Sequence, residues 1–132
     1  MSLSPRLRAA VDALPLGPGL RVLEIGGAPG AAAREVAWRV APGQVLVLDR
    51  SARGVALTRR ACAAEIAAGL VSVRQADVVD FEPIPGEPPF DLAFACRVGV
   101  LDGRHPAQEE QARARVAALL VPGGRLYVDP GG

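Results

Sequence analysis

Three carboxylates and one glycine-rich turn carry most of the chemistry this sequence can offer. Glu24 stands inside the apolar run Leu20-Arg21-Val22-Leu23-Glu24-Ile25, and Asp49 and Asp77 end two later apolar runs. An ionised carboxylate is acceptor-only and presents two oxygens, enough for a pair of donors. Directly after Ile25 comes Gly26-Gly27-Ala28-Pro29-Gly30, whose small residues let a ligand touch the backbone. A helix starting after that turn would offer its first N–H groups, which have no partner inside the helix. An open α/β sheet binds ligands outside the carboxyl ends of its strands, where all three acids are expected to fall.

The elements that must hold these groups follow from pattern. Ser4 and Pro5 open a short helix with Leu7, Ala10, Val11 and Leu14 on one face. Residues 20–25 read as a buried strand, and the turn leads into a helix with Ala33, Val36, Ala37 and Val40 inside. Residues 44–49 form a second strand. Ser51 caps a helix with Val55, Cys62, Ala63 and Ile66 inside, and Gly69 stops it. Residues 70–76 form a third strand. Residues 82–89 hold Pro83, Pro85, Gly86, Pro88 and Pro89, so this crossover is a loop. Residues 90–95 form strand four, Pro106 opens a helix with Ala112, Val116, Leu119 and Leu120 inside, and residues 125–129 form strand five. Strands without two-residue alternation, separated by helices, predict a parallel sheet covered on both faces. The expected fold is a Rossmann-like, doubly wound sheet of about five parallel strands, order 3-2-1-4-5, in one domain over residues 1–132.

Composition narrows the function. The chain has 132 residues, half of them hydrophobic, and a formal net charge of +1. That charge gives no electrostatic case for nucleic acid, although it leaves RNA open as a substrate. All 15 basic residues are Arg. Cys62 and Cys96 suggest no disulfide framework, and no Cys/His cluster has zinc spacing. No apolar run is long enough for a signal peptide or membrane span, so a cytoplasmic protein is expected.

The glycine turn alone does not identify a ligand. Read from Gly26, the dinucleotide fingerprint would need glycine where Ala28 and Ala31 stand, so the fit is poor. With the acid in front, the segment resembles the first motif of class I S-adenosylmethionine-dependent methyltransferases, E/D-x-G-x-G-x-G. It maps to Glu24, Gly26, Ala28 and Gly30, with Ala28 departing from the usual glycine. Phe90-Asp91-Leu92-Ala93-Phe94-Ala95-Cys96 resembles the family's fourth-strand motif, and Leu119 to Leu126 its L-x-P-G-G-x-L turn. The resemblance runs from about residue 5 to residue 129, and Arg-Val-Leu-Glu-Ile-Gly, Leu-Asp-Arg-Ser and Arg-Gln-Ala-Asp are closest to the small-molecule branch.

This resemblance implies S-adenosylmethionine as cofactor, S-adenosylhomocysteine as product, and a small-molecule methyl acceptor. It implies cofactor contacts from Glu24, Gly26, Gly27, Ala28 and Gly30, with Asp49 and Arg50 after the second strand. Asp49 would accept both ribose hydroxyls. Asp77 would take the adenine amine, with the backbone of Val78 against the ring. Arg97 falls where the family contacts the methionine end or the substrate, and a surface arginine is the competing reading. The full family fold has seven strands, whereas this sequence ends after the fifth. Strand five is therefore expected to be an apolar edge covered by a homodimer or another partner.

Several chemistries are disfavoured. The exocyclic-amine methyltransferase motif is replaced by Cys96-Arg97-Val98-Gly99. The lysine-bearing tetrad of ribose 2′-O enzymes is impossible without lysine. Asp91, Asp102 and Asp129 do not assemble into a convincing metal cluster. Cys96 reads as structural rather than as a cytosine-type nucleophile. His105 reads either as a general base or as a solvated residue ahead of the Pro106 helix. Trp38, off the inner stripe, is expected to flank the N-terminal helix. Arg53, Arg59 and Arg60 read as a solvated face. No catalytic residue is assigned. Two alternatives stand beside methyl transfer to a small molecule: a cofactor-binding domain with little or no activity, or a partner-completed subunit. A nucleotide-binding oxidoreductase is disfavoured by the glycine spacing.

Overall fold

A computed structural model describes residues 3–96, 101 and 106–129. The β-branched and leucine-rich runs become five strands: β1 (Arg21–Ile25), β2 (Gln44–Asp49), β3 (Val71–Gln75), β4 (Phe90–Cys96) and β5 (Leu120–Asp129). They form one parallel sheet in the order β3-β2-β1-β4-β5. The helices are α1 (Pro5–Asp12), α2 (Ala31–Val40), α3 (Ala52–Ala61), α4 (Ala63–Ala67) and α5 (Pro106–Leu119). Their starts are set by local chemistry. Ser4 Oγ accepts from Leu7 N at 3.2 Å with Pro5 in the first turn of α1, and Ser51 Oγ accepts from Gly54 N at 3.1 Å at α3.

Successive residues of a strand face opposite sides of the sheet, so each run fills two cores. Val22, Val45, Val47, Leu92 and Phe94 pack beneath α1, α2 and α3. Leu23, Ile25, Leu46, Leu48, Ala93 and Ala95 face the other way, toward Val78, Phe81 and the inner side of α5. This two-sided burial explains why the strands lack alternation in sequence. It also fixes where the acids point. Glu24 shares the α2 face with Val22, and Asp49 follows Val45 and Val47 on that same face. Among the described residues no helix is long and apolar enough to cross a membrane.

Three details depart from the sequence reading. The helix after Ser51 is interrupted at Cys62, whose φ and ψ of −101° and 19° are not helical. Ala63 is exposed, and Glu65 is buried in its place. Glu65 Oε2 accepts from Trp38 Nε1 at 2.9 Å, and Oε1 lies 3.5 Å from Arg34 Nε. Trp38 therefore sits against α4. Helix α1 is instead held to α2 by Arg39–Asp12 and Arg8–Glu35 ion pairs. Third, β5 begins at Leu120 rather than Arg125. Phe90 pairs with Leu120 and Leu92 with Arg125, so Val121 to Gly124 bulge out, with Gly123 at φ 84°.

The proline-rich crossover is pinned to β1 and β3 by charge. Arg74 pairs with both oxygens of Glu87, Ile84 N donates to Glu87 Oε1 at 2.6 Å, and Arg21 lies 3.5 Å away. Arg21 also donates to Pro88 O at 3.1 Å and stacks on Phe90, 4.5 Å from the ring centre. The Arg74 hydrogen bonds hold the Glu87 carboxyl down at about 2, from an ordinary 4.5. A depressed folded pKa contributes stability that is complete above about 4.5 and is lost as pH falls toward 2. Glu87→Gln should therefore destabilise the protein at pH 7 by about 1–3 kcal/mol in urea unfolding. The difference from wild type should shrink steadily between pH 4.5 and 2. An equal difference at both ends of that range would contradict the assignment.

Candidate functional site at the carboxyl end of the sheet

Glu24 lies between Val47 of β2 and Phe94 of β4 and is 2% exposed. Its Oε1 has no hydrogen-bond partner. Burial pushes its carboxyl from 4.5 up to about 8, and the nearby charge of Asp49 adds to the rise. The turn after β1 closes directly over it. A Cβ on Gly27 would stand 2.5 Å from Val47 Cγ1 and 2.9 Å from Glu24 Cδ, so only glycine fits. Gly26 N donates to Leu48 O at 2.7 Å and Gly30 N to Gly27 O at 2.8 Å, which anchors the turn at both ends. Gly26 and Gly30 take φ of 69° and 105°, conformations that favour glycine.

Asp49 supports the turn from behind. Its Oδ2 accepts from Ala28 N at 3.3 Å, and its Oδ1 accepts from Ser51 N at 3.0 Å. It can come this close to α3 because residue 54 is glycine: a Cβ there would stand 2.5 Å from Asp49 Oδ1. Cys62, at the break between α3 and α4, donates its thiol to Gly30 O at 3.5 Å. The glycine turn is thus met by Asp49 of β2 at Ala28 and by the break between α3 and α4 at Gly30.

A cleft of about 420 Å³ opens above Glu24. Gly26, Gly27 and Ala28 form one wall, and Ala31 and Ala32 bring the start of α2 to it. Cys96 and Asp129, which pair in register at the ends of β4 and β5, form the far side. Ser4, which caps α1, and Arg6 and Leu7 of α1 close it, with Arg6 Nη2 3.2 Å from Asp129 Oδ1. The strand order reverses between β1 and β4, so the cleft sits at the switch point where such sheets take ligands. Gly30 caps α2 without a side-chain hydrogen bond, which leaves the first amides of that helix for a ligand. The arrangement can receive a cationic group above Glu24 and an anionic or polar group at the α2 amides.

Of the residues marked in the sequence, Glu24, Gly26, Gly27 and Ala28 meet in this cleft. Gly30 is buried behind it, and Asp49 touches it only through Ala28 N. Arg50, Asp77 and Val78 do not line it. Arg50 is exposed, with its carbonyl accepting from Gln75 Nε2 at 3.3 Å. Asp77 Oδ1 accepts from Val79 N at 3.1 Å, and Val78 is buried in the opposite core. Arg97, Asp102 and His105 lie outside the described residues. Sequence reasoning did not place Arg6, Cys96 or Asp129 at the cleft. The available signal was position, since Cys96 and Asp129 end their strands as Asp49 ends its own. Burial, with Glu24 and Asp129 nearby, pushes the Cys96 thiol up to about 11, so at neutral pH it is a thiol and not a nucleophile. Among the described residues no cluster of three or more His, Cys, Asp or Glu side chains could hold a metal.

The glycine turn gives a direct test. Gly27→Ala should destabilise the protein by about 1–3 kcal/mol, because the new methyl meets Val47 and Glu24 on a rigid sheet. Gly17→Ala, where nothing lies within 4 Å, is the control and should change little. Equal urea midpoints for the two variants would overturn the packing account.

Comparisons with known proteins agree with this fold. The sequence family described as "Methyltransferase domain" matches residues 22–124. No curated protein matches the chain. Among solved structures, the CcbJ methyltransferase from Streptomyces caelestis aligns with a TM-score of 0.76 at 21% identity, over 96% of this chain and 49% of its own. CalS10, an amino pentose methyltransferase from Micromonospora echinaspora solved with S-adenosylmethionine bound, aligns at 0.70 and 26% identity, over 95% and 46%. An S-adenosylmethionine-dependent methyltransferase from Geobacter sulfurreducens, in complex with S-adenosylhomocysteine, aligns at 0.72 and 20% identity, over 96% and 48%. The chain spans just under half the length of each of these structures. Its Rossmann-like sheet order and a match from β1 through the turn before Arg125 lead to one conclusion: the chain belongs to the methyltransferase-domain family.

Proposed function

We propose that this chain binds S-adenosylmethionine in the cleft above Glu24 and serves methyl transfer to a small-molecule acceptor. The observation that carries the reading is Glu24 itself, a buried carboxyl with an unpartnered oxygen beneath a turn that leaves no room for a side chain at Gly27. A group with a cationic amine and a carboxylate fits those surroundings. Glu24 would face the amine, and the open amides of α2 would meet the carboxylate. Gly26 and Gly27 would let the ligand lie against the backbone. Asp49 would keep Ala28 in place and, from its free lone pairs, accept ribose hydroxyls. Arg50, Asp77, Val78 and Arg97 complete the proposed cofactor set. The bound states named for CalS10 and the Geobacter protein support the choice of cofactor.

When bound, S-adenosylmethionine supplies an electrophilic methyl group on a sulfonium. The chain's own contribution is to hold donor and acceptor in line, and positioning of this kind can account for much of a barrier. Cys96, kept as a neutral thiol, offers no general base. That same observation favours a second reading, in which the chain binds the cofactor without turning it over.

Calorimetric titration with S-adenosylmethionine, S-adenosylhomocysteine and NAD should show binding of the first two and preference over NAD. Preference for NAD would sink the proposal. Binding without turnover on a panel of small amines and alcohols would select the second reading. Asp49→Ala should weaken S-adenosylhomocysteine binding at least about tenfold, since one charge-assisted contact amounts to about 1.5–3 kcal/mol. An unchanged affinity would remove Asp49 from the site.

A further inference from the structure

Glu24 is charged or neutral according to what faces it among the described residues. Asp49 approaches from β2 and is itself a carboxylate. Cys96 approaches from β4, and Cys62 from the break between α3 and α4. Across the cleft stand Arg6 of α1 and Asp129 of β5, paired with each other. Arg34 of α2 is paired with Glu65. Among the described residues none forms an ion pair with Glu24. A buried carboxyl surrounded by a second carboxylate and two thiols, with no cation of its own, favours the protonated form.

Resting on the cofactor reading above, we propose that this cleft exchanges a proton for its ligand: the amine of the ligand's amino-acid end displaces the proton that Glu24 carries in the free protein. The geometry supplies the reason. Glu24 lines the cleft, its Oε1 beside Gly27 has no partner, and among the described residues no cation pairs with it, so the ligand's ammonium would bring its counter-charge. The free carboxyl titrates at about 8. A cation within about 4–6 Å lowers a carboxyl pKa by about 1–3 pH units, which brings it from about 8 to about 5–7. The O–H bond of Glu24 breaks, the proton passes to buffer, and the carboxylate pairs with the ammonium. No oxidant or further reactant is needed.

The sign follows from linkage. A group protonated in the free protein and ionised in the complex makes binding tighter as pH rises, up to the free value of about 8. S-adenosylhomocysteine affinity should therefore rise about tenfold from pH 6 to pH 8. Calorimetry at pH 7 in buffers of different ionisation enthalpy should show release of about half a proton or more. Methylthioadenosine, which lacks the amino-acid end, should bind without release. Glu24→Gln, checked for an unchanged thermal midpoint, should bind with a flat pH profile and no release. Should that variant fail to fold, the contrast between the two ligands on wild type decides. Equal release with methylthioadenosine, or none with S-adenosylhomocysteine, would overturn the proton exchange while leaving the cofactor reading intact. Absence of any S-adenosylhomocysteine binding would overturn the cofactor reading and this inference with it.

Discussion

The architecture of this site depends on one awkward group, the carboxyl of Glu24 buried in the middle of a parallel sheet. Taking an ionised carboxylate out of water costs several kcal/mol even after the protein relaxes. The fold lowers that cost by keeping the acid neutral, and burial next to Asp49 does so. Everything around it is shaped to that side chain. The turn above it must be glycine at residue 27, and the neighbouring strand presents the small Val47. An acid in such surroundings costs stability, which is consistent with the proposed role in binding a ligand.

A second acid does different work from a similar position. Asp49 ends β2 on the same α2 face, yet its oxygens accept backbone N–H groups of Ala28 and Ser51. It joins the glycine turn to the start of α3, and Gly54 makes the approach possible. Cys62 ties the far end of α3 to Gly30. The turn is thus preorganised from below by Glu24 and from behind by α3, which suits a site that acts by positioning.

Much of this was legible in the sequence. The five strands, the glycine turn and the acids in and after the strands follow from period, punctuation and the rule for parallel sheets, and the strand order from the family resemblance. What was not legible depends on contacts distant in sequence. Nothing local marks Glu65 as buried, because its burial rests on Trp38 and Arg34 from another helix. The break at Cys62 serves a contact with Gly30 that helix periodicity cannot report. The early start of β5 depends on a Phe90–Leu120 pairing beyond the Val121 to Gly124 bulge. At the site, the acid types were readable, but their division of labour was not. Glu24 is orphaned and Asp49 engaged because of how the turn closes, and that geometry is set by Gly27 and Gly54 together.

The claim that joins these observations is that the turn over Glu24 is where the cofactor's amino-acid end lies. Backbone amide shifts followed by NMR during titration with S-adenosylhomocysteine test it most directly. The account predicts the largest changes at Gly26, Gly27, Ala28, Ala31 and Ala32, with much smaller ones for NAD. Changes confined to other parts of the sheet, or equal effects of the two ligands at these amides, would contradict it.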